Sequence, residues 1–401
     1  MALSKPRFEP TLRDVFAVCV VGLAVHFTAL GWILFSGVLS NMNLVRTTVL
    51  VIATVIVACI AIIGWLTLRV VNRELVFLVE DAARMRKFDF EPAPASEQFI
   101  IADFRTVRDS LEQGKMAIRA MRKYVPITLL RQLYHEHKEV SLGAEPIELS
   151  MLFSDIRDFT TLSENLSGTE LSRALGLYLH AMAQGISSQQ GTIDKYIGDS
   201  VMAFWNAPMP IENDARRACL AALHSARACD QLFDSPEWGT LPRWVTRYGI
   251  HRDRVMVGNF GAPDRLNYTA MGDGVNTASR LEGLNKAYGT LIMVSETVRD
   301  AVGDEFVFRK LDWVAVKGKT KPTAVFELLG EAATTKKPEC AQVYERAFEA
   351  YCAREFSSAI ELLRPQIDDD PPSKVMFQRC VGFQKLPPPS DWNGVFIAHT
   401  K

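Results

Sequence analysis

Three segments decide the fold of this chain: Leu149-Ser-Met-Leu-Phe-Ser-Asp-Ile-Arg-Asp-Phe-Thr160, Gly191-Thr-Ile-Asp-Lys-Tyr-Ile-Gly-Asp-Ser-Val-Met-Ala-Phe-Trp205 and Tyr268-Thr-Ala-Met-Gly-Asp-Gly-Val-Asn-Thr-Ala-Ser-Arg-Leu-Glu282. The first begins with an apolar run that predicts a buried strand ending at Asp155. In the second, two apolar stretches flank the turn residues Gly198 and Asp199 and predict a β-hairpin. The third predicts a helix over Val275 to Leu284, because this stretch is rich in good helix formers.

Two aspartates follow these predicted strands. Asp155 closes the first strand and Asp199 lies at the hairpin bend. A carboxylate at the end of a buried strand faces a cleft rather than the core, and Asp oxygens suit a hard divalent ion such as Mg²⁺ or Mn²⁺. Either residue in isolation is more often a turn or cap residue. Their occurrence together with the third segment favours a metal site.

A polar pair marks the predicted helix. Asn276 and Arg280 are four residues apart and therefore share one helix face. An amide beside a guanidinium suits a phosphate or a developing oxyanion. Without the other two segments, this pair would indicate no more than the surface of an amphipathic helix.

Together the three segments resemble the catalytic domain of the class III nucleotidyl cyclases, the adenylate and guanylate cyclase family. The resemblance covers Tyr124 to Glu331. It implies an α+β domain with a ferredoxin-like core, a sheet with helices packed on it. It also implies two Mg²⁺ or Mn²⁺ ions per active site, bound by Asp155, Asp199 and the Ile156 carbonyl. The ions would help the ribose 3′-hydroxyl attack the α-phosphorus and expel pyrophosphate.

The resemblance also assigns the residues that bind substrate. Arg280 would stabilise charge on the α-phosphate, Asn276 would orient the ribose, and Lys195 and Thr269 would read the base. A lysine donates to adenine N1, an acceptor, whereas guanine presents a donor there, so Lys195 favours ATP. The phosphates would be bound by a lysine and by a nest of backbone amides: Lys317, and Ile156, Arg157, Phe159 and Thr160.

Two further implications concern assembly and departures from the family pattern. In the family the metal aspartates come from one protomer and the base and ribose residues from the other. This chain carries both sets, which implies a symmetric head-to-tail homodimer that is nearly inert as a monomer.

The family usually has Gly where Asp158 stands, and we expect the Asp158 charge to weaken triphosphate binding. Asp253 also replaces a Gly, in the turn expected between strands 244–250 and 255–260, and His251 there is expected to be a packed structural residue.

Two apolar runs precede the catalytic segment. Val15 to Phe35 and Thr47 to Leu68 are nearly free of charge and long enough to span a bilayer. Cations flank the pair, which places both ends in the cytoplasm by the positive-inside rule: Lys5, Arg7, Arg13, Arg69 and Arg73. We therefore expect a multi-pass protein of the inner (plasma) membrane with a cytoplasmic catalytic domain. The alternative for each run is a buried core helix.

The segment after the second run predicts two helices joined by an irregular connector at residues 88–97. The second helix carries a heptad seam that indicates a coiled coil: Ile100, Phe104, Val107, Leu111, Gly114, Ile118, Met121 and Val125. Helix, connector and helix directly after a membrane span resemble a HAMP signal-relay domain, which is a parallel four-helix bundle in a dimer. A plain amphipathic linker is the alternative. The predicted organisation is membrane anchor 1–70, relay 71–123, catalytic domain 124–332 and helical tail 333–401.

The rest of the catalytic segment alternates helix and strand patterns, which predicts a sheet with helices on one face. The predicted elements are helices 169–187 and 214–232 and strands 292–294, 306–311 and 324–329. Cys340 to Leu363 predicts an amphipathic helical pair that resembles one tetratricopeptide-like unit. We expect this pair to cap the catalytic domain, or else to be a partner site for a membrane or tail-binding protein. Pro387 to Trp392 is expected to be a surface tail.

Composition narrows the class of protein. The net charge is −1, which gives no electrostatic argument for a nucleic-acid partner, and none is expected. The seven cysteines have no metal-ligand spacing and are expected to be reduced thiols. Two alternatives to an adenylate cyclase stay open: a guanylate or broad-specificity cyclase, and a non-catalytic signalling scaffold whose cyclase fold only dimerises.

Overall fold

The computed structural model describes residues 21–22, 24–29, 32, 43–92, 99–121, 141–262, 264–315, 322–390, 392 and 394–397. The chain divides into two compact units, Met1–Val125 and Pro126–Lys401.

The first unit contains a long helix, α1 (Asn43–Arg86), and a second helix, α2 (Ala102–Met121). The second predicted membrane run lies within α1, which continues without a break into the first predicted relay helix. Among the described residues, one helical stretch is long and apolar enough to cross a membrane: Thr48–Arg86, with a mean hydropathy of 2.9 in its most apolar window. Most of the first predicted run lies outside the described residues, and within it 24–29 are helical.

Polar contacts join α1 to the segment that begins α2. The Glu74 carboxylate, 2% exposed, accepts hydrogen bonds from the backbone amides of Ile100 at 2.7 Å and Ile101 at 3.3 Å. Further along, the fully buried ammonium of Lys115 lies 2.5 Å from the Asp81 carboxylate. The seam residues Val107 and Met121 are about half exposed, at 48% and 61%. Within this unit the helices therefore pack through charged groups, and part of the predicted apolar seam faces outward.

The second unit is built on one mixed sheet. Its described strands follow the order β2-β3-β1-β4-β6-β8-β7-β9, with β5 paired to β4. They are β1 (Gly143–Ile156), β2 (Thr192–Ile197), β3 (Ser200–Trp205), β4 (Thr246–Ala262), β5 (Arg265–Met271), β6 (Ile292–Ser295), β7 (Phe306–Ala315), β8 (Thr323–Glu331) and β9 (Phe396–Ile397). The hairpin predicted around Gly198 and Asp199 is confirmed as the antiparallel pair of β2 and β3.

Helices cover both faces of this sheet, so the prediction of helices on one face was wrong. Strand β1 shows the reason, because Leu152 packs in one apolar cluster and Met151 in another on the opposite face. The helices are α3 (Phe159–Glu164), α4 (Gly168–Ser188), α5 (Asp214–Phe233), α6 (Asp273–Tyr288), α7 (Glu296–Val302), α8 (Glu339–Cys352), α9 (Phe356–Leu363) and α10 (Pro371–Lys385). Helices α4 and α5 pack against the Leu152 face, and α8 to α10 form a further cluster with α6, β7 and β8.

Strand β4 corrects a second prediction. The two short strands expected at 244–250 and 255–260 are one strand, and Asp253 pairs with Leu149 of β1 rather than lying in a turn. The polar residues of this run conceal the continuity of β4 in the sequence. In the structure, Arg252 pairs with Asp214 at the start of helix α5 at 3.1 Å and with Glu148 of β1 at 2.6 Å. His251 is 5% exposed and lies 2.8 Å from the Ser295 hydroxyl, as expected of a packed residue.

The C-terminal helices dock on the catalytic sheet. The Tyr344 hydroxyl donates to the Leu311 carbonyl of β7 at 2.8 Å. Arg309 of β7 forms a buried ion pair with Asp370 at 2.7 Å. Trp392 packs edge-on against Tyr351 with ring centroids 5.0 Å apart, so the surface-tail prediction was wrong for this residue. These contacts favour the interpretation of the helices as a cap.

Candidate active site

The two predicted metal aspartates lie at one edge of the sheet. Asp155 is the penultimate residue of β1, and Asp199 lies in the tight turn between β2 and β3. The Asp199 carboxylate accepts a hydrogen bond from the Ile156 amide at 3.0 Å, which joins the turn to the end of β1. The Ser200 hydroxyl donates to Asp155 at 2.9 Å. The backbone pairing of β1 with β3 therefore brings the two carboxylates together.

A buried arginine links Asp155 to helix α6. The Arg247 guanidinium of β4 lies 2.9 Å from the Asp155 carboxylate and 3.0 Å from Glu282. Its side chain is 10% exposed, so these ion pairs are largely shielded from water. Burial raises the pKa of Glu282 to about 7, with the Asp155 charge adding to the rise and Arg247 opposing it.

The donor set fits a divalent cation. Burial, and next the charge of Asp155, raise the pKa of Asp199 above its ordinary value, while the Ile156 amide opposes the rise. Two acidic groups held this close repel each other as carboxylates, and a cation removes that repulsion. Asp155, 30% exposed, is also open enough for a ligand to reach its oxygens. Hard carboxylate oxygens are the ligands that Mg²⁺ and Mn²⁺ prefer.

The predicted base-reading residues are in contact. The Lys195 ammonium of β2 lies 3.3 Å from the hydroxyl of Thr269 of β5 and is 42% exposed. Beneath it, the Thr269 hydroxyl donates a short hydrogen bond to the carboxylate of Asp194, whose side chain is only 2% exposed. Burial raises the pKa of Asp194, and the hydrogen bond from Thr269 and the Lys195 charge oppose the rise. The structure thus provides an exposed cation over a buried, polarised hydroxyl.

Helix α6 carries the predicted phosphate and ribose residues. Asn276 is exposed and Arg280 is half-buried on this helix. Within the described part of the chain, the Nη1 atom of Arg280 is buried without a hydrogen-bond partner. A buried guanidinium nitrogen without an acceptor is costly, and an anionic ligand oxygen would satisfy it.

The predicted phosphate nest is smaller than expected. The Ile156 amide donates to Asp199, and the Arg157 amide donates to the Val245 carbonyl at 2.8 Å, so both are already used. The amides of Phe159 and Thr160, at the start of α3, are the remaining part of the predicted nest. Lys317 lies outside the described residues.

Asp158 occupies a left-handed conformation, with φ 56° and ψ 34°, directly before α3. Glycine adopts this conformation without a steric penalty, and Asp tolerates it better than most residues. This explains in backbone terms why the departure from glycine still permits the turn.

Sequence reasoning missed the roles of Arg247, Glu282 and Asp194. Arg247 lies 92 residues from Asp155 and shows no local pattern that separates it from other strand arginines. Asp194 stands within the quoted hairpin segment, but its contact with Thr269 spans 75 residues. Only the sheet pairing brings these groups to the site.

The comparisons with known proteins agree with this geometry. The family described as the adenylate and guanylate cyclase catalytic domain matches residues 144–329. Adenylate cyclase 1 of Rhizobium meliloti (strain 1021) is 33% identical over 291 residues, which cover 73% of this chain and 43% of that protein. Adenylate cyclase of Anabaena cylindrica is 35% identical over 233 residues, which cover 55% of this chain and 44% of that protein. The chain therefore spans less than half the length of these two relatives.

Among solved structures, the adenylyl cyclase CyaB from P. aeruginosa is 31% identical. The match covers 49% of this chain and 98% of that chain, with a TM-score of 0.42. From the family match and the sequence relatives, residues 144–329 of this chain belong to the class III adenylate and guanylate cyclase family.

Proposed function

We propose that the chain is a membrane-bound adenylate cyclase that converts ATP to 3′,5′-cyclic AMP and pyrophosphate. The observation that carries the proposal is the contact of Lys195 with Thr269 at 3.3 Å. The Lys195 ammonium donates to adenine N1, and the Thr269 oxygen accepts from the adenine 6-amino group. Guanine presents the opposite polarity at both positions, so this pair favours ATP over GTP.

The carboxylate pair supports the cyclase reaction itself. Asp155, Asp199 and the Ile156 carbonyl would hold two Mg²⁺ or Mn²⁺ ions, which when bound lower the pKa of the ribose 3′-hydroxyl and neutralise the triphosphate. Among the described residues, the buried Nη1 of Arg280 has no hydrogen-bond partner, and it would serve the charge that builds on the α-phosphate during in-line attack. Asn276 orients the ribose from the same face of α6.

The proposed active unit is a symmetric head-to-tail homodimer. The aspartates of one protomer and the residues Lys195, Thr269, Asn276 and Arg280 of the other would form each of two sites. The α1 helix, with its apolar stretch from Thr48, supports attachment to a lipid bilayer. The polar packing of α1 against α2 leaves apolar seam residues for a second copy, as a HAMP-like relay requires.

The test is cyclic nucleotide production by the purified full-length chain with Mn²⁺ and either ATP or GTP. We expect cyclic AMP from ATP and little cyclic GMP from GTP. Asp199→Ala should lower turnover by about 100-fold or more, because it removes an oxygen ligand of both ions. Asp264→Ala, at an exposed position between β4 and β5, is the matched control and should keep wild-type turnover.

Other results would select the alternatives. Comparable rates with ATP and GTP would indicate a broad-specificity cyclase. A well-folded dimer that is silent with both nucleotides would contradict the proposed reaction and favour a non-catalytic scaffold.

A further inference from the structure

Asp194 is a buried carboxylate to which the proposed reaction assigns no role. Its side chain is 2% exposed, and it contacts both Thr269 and Lys195. One carboxylate oxygen accepts a hydrogen bond from the Thr269 hydroxyl, and the other lies 3.6 Å from the Lys195 ammonium. A buried carboxylate is costly unless it is paired, and these two contacts supply the pairing.

The hydrogen-bonding capacity of a threonine hydroxyl explains why this contact matters. The hydroxyl has one proton to donate and two lone pairs that accept. The proton of Thr269 is used by Asp194, and one lone pair faces the Lys195 ammonium at 3.3 Å. Only an acceptor lone pair is left for a base.

We infer that Asp194 is a specificity-determining positioning residue, which fixes Thr269 as a hydrogen-bond acceptor and thereby selects adenine nucleotides. This inference rests on the proposed cyclase function. Without Asp194, the Thr269 hydroxyl is free to rotate and donate, and a donor at that point suits the guanine 6-oxo group as well as an acceptor suits the adenine 6-amino group. Lys195 alone then discriminates between adenine and guanine nucleotides.

The first variant is Asp194→Asn. The Lys195 ammonium lies beside the new Asn side chain. Its positive charge attracts the amide oxygen and repels the amide NH₂ group, so the NH₂ group points toward Thr269. The Thr269 hydroxyl then accepts from Asn and donates toward the base. We expect the ratio of kcat/KM for ATP to that for GTP to fall about tenfold, the effect of one mismatched buried hydrogen bond.

A second pair of variants separates orientation from folding. Thr269→Asp places an acceptor-only side chain at the reading position, but beside Asp194 it creates two adjacent carboxylates, and activity with ATP should fall. Adding Asp194→Asn to Thr269→Asp removes that repulsion and should restore both activity and preference for ATP. Relief of repulsion by itself restores activity, so the restored preference for ATP is the result that reports orientation of the hydrogen bond. Asp264→Asn, at an exposed turn, is the matched control and should leave the ratio unchanged.

The experiment measures kcat/KM for both nucleotides with Mn²⁺, and equilibrium binding of ATP and GTP, on full-length protein. An unchanged nucleotide ratio in Asp194→Asn, or a double variant no better than Thr269→Asp, would overturn the role of Asp194. If the wild type binds nucleotide but makes no cyclic product, the proposed reaction fails. The ratio of the two binding constants then decides the role of Asp194 by itself.

Discussion

At the scale of single residues, a chain of ion pairs connects the carboxylate site to helix α6. Arg247 pairs with Asp155 of the carboxylate site and with Glu282, which stands two residues after Arg280 on α6. In the proposed dimer, Asp155 and Arg280 of one protomer serve different active sites. The Asp155–Arg247–Glu282 chain therefore joins a carboxylate of one site to helix α6, which carries Arg280 of the other.

The titration of Glu282 gives a pH prediction. Its pKa in the folded protein is about 7, above the ordinary value of 4.5, so the folded state binds the proton more tightly. The stabilisation is fully present below about pH 4.5 and is lost as pH rises through 7. In metal-free protein, the Tm of the wild type minus that of Glu282→Gln should therefore fall between pH 5 and 7.5. Parallel Tm curves over this range would contradict the assignment.

The left-handed backbone of Asp158 gives a second prediction. Asp158→Gly should stabilise the protein by about 0.5–1 kcal/mol, because glycine adopts φ 56° without strain. It should also lower KM for ATP, because it removes a negative charge beside the proposed triphosphate. Gln190→Gly is the control: its φ of 59° gives similar relief of backbone strain at an exposed position without that charge. Equal effects of both changes on KM would show that charge at Asp158 is irrelevant.

At the scale of elements, the long strand β4 depends on a polar cluster between the sheet and the first residue of helix α5. Asp214, 7% exposed, accepts from the Ser150 hydroxyl at 2.8 Å and pairs with Arg252 at 3.1 Å. This cluster holds the polar middle of β4 in register with β1. It is the reason that the strand does not bend at Asp253.

Removing the buried partner should cost far more than removing the exposed one. Asp214→Ala leaves the Ser150 hydroxyl and the Arg252 guanidinium without their buried acceptor and should cost about 3 kcal/mol of stability. Glu148→Ala removes the other partner of Arg252. Because the Glu148 side chain is 58% exposed, this change should cost less than about 1 kcal/mol of stability. Denaturant unfolding of both variants measures the difference, and equal losses would rule out a special role for the buried pair.

The elements that the sequence patterns predicted correctly are those that depend on residues close together in the chain. The apolar runs and the Gly198-Asp199 turn predicted β1 and the β2–β3 hairpin, and α6 appeared where its helix formers lie. The continuity of β4 was not predictable, because its polar residues are satisfied by partners far along the chain. The roles of Arg247 and Asp194 were hidden for the same reason. Resemblance to the cyclase family, rather than periodicity, identified Lys195 and Thr269 as a pair.

At the scale of the whole molecule, α1 predicts membrane attachment. Its apolar stretch is exposed in the described chain, and a long exposed apolar helix is unfavourable in water. The full-length protein should stay in the membrane fraction after extraction with alkaline carbonate and leave it in detergent. Release by carbonate alone would mean that the helix binds protein rather than lipid.

In the proposed dimer each active site is shared between two copies of this chain, and co-expression of two inactive variants tests this sharing most directly. Asp199→Ala lacks a metal ligand and Arg280→Ala lacks the guanidinium that binds the α-phosphate, so each should be inactive alone. With random assortment half of the dimers are mixed, and each mixed dimer has one intact site of two. Cyclic AMP production should therefore recover to about a quarter of the wild-type rate. No recovery, with mixed dimers demonstrated by pull-down and an active wild type, would contradict the shared site.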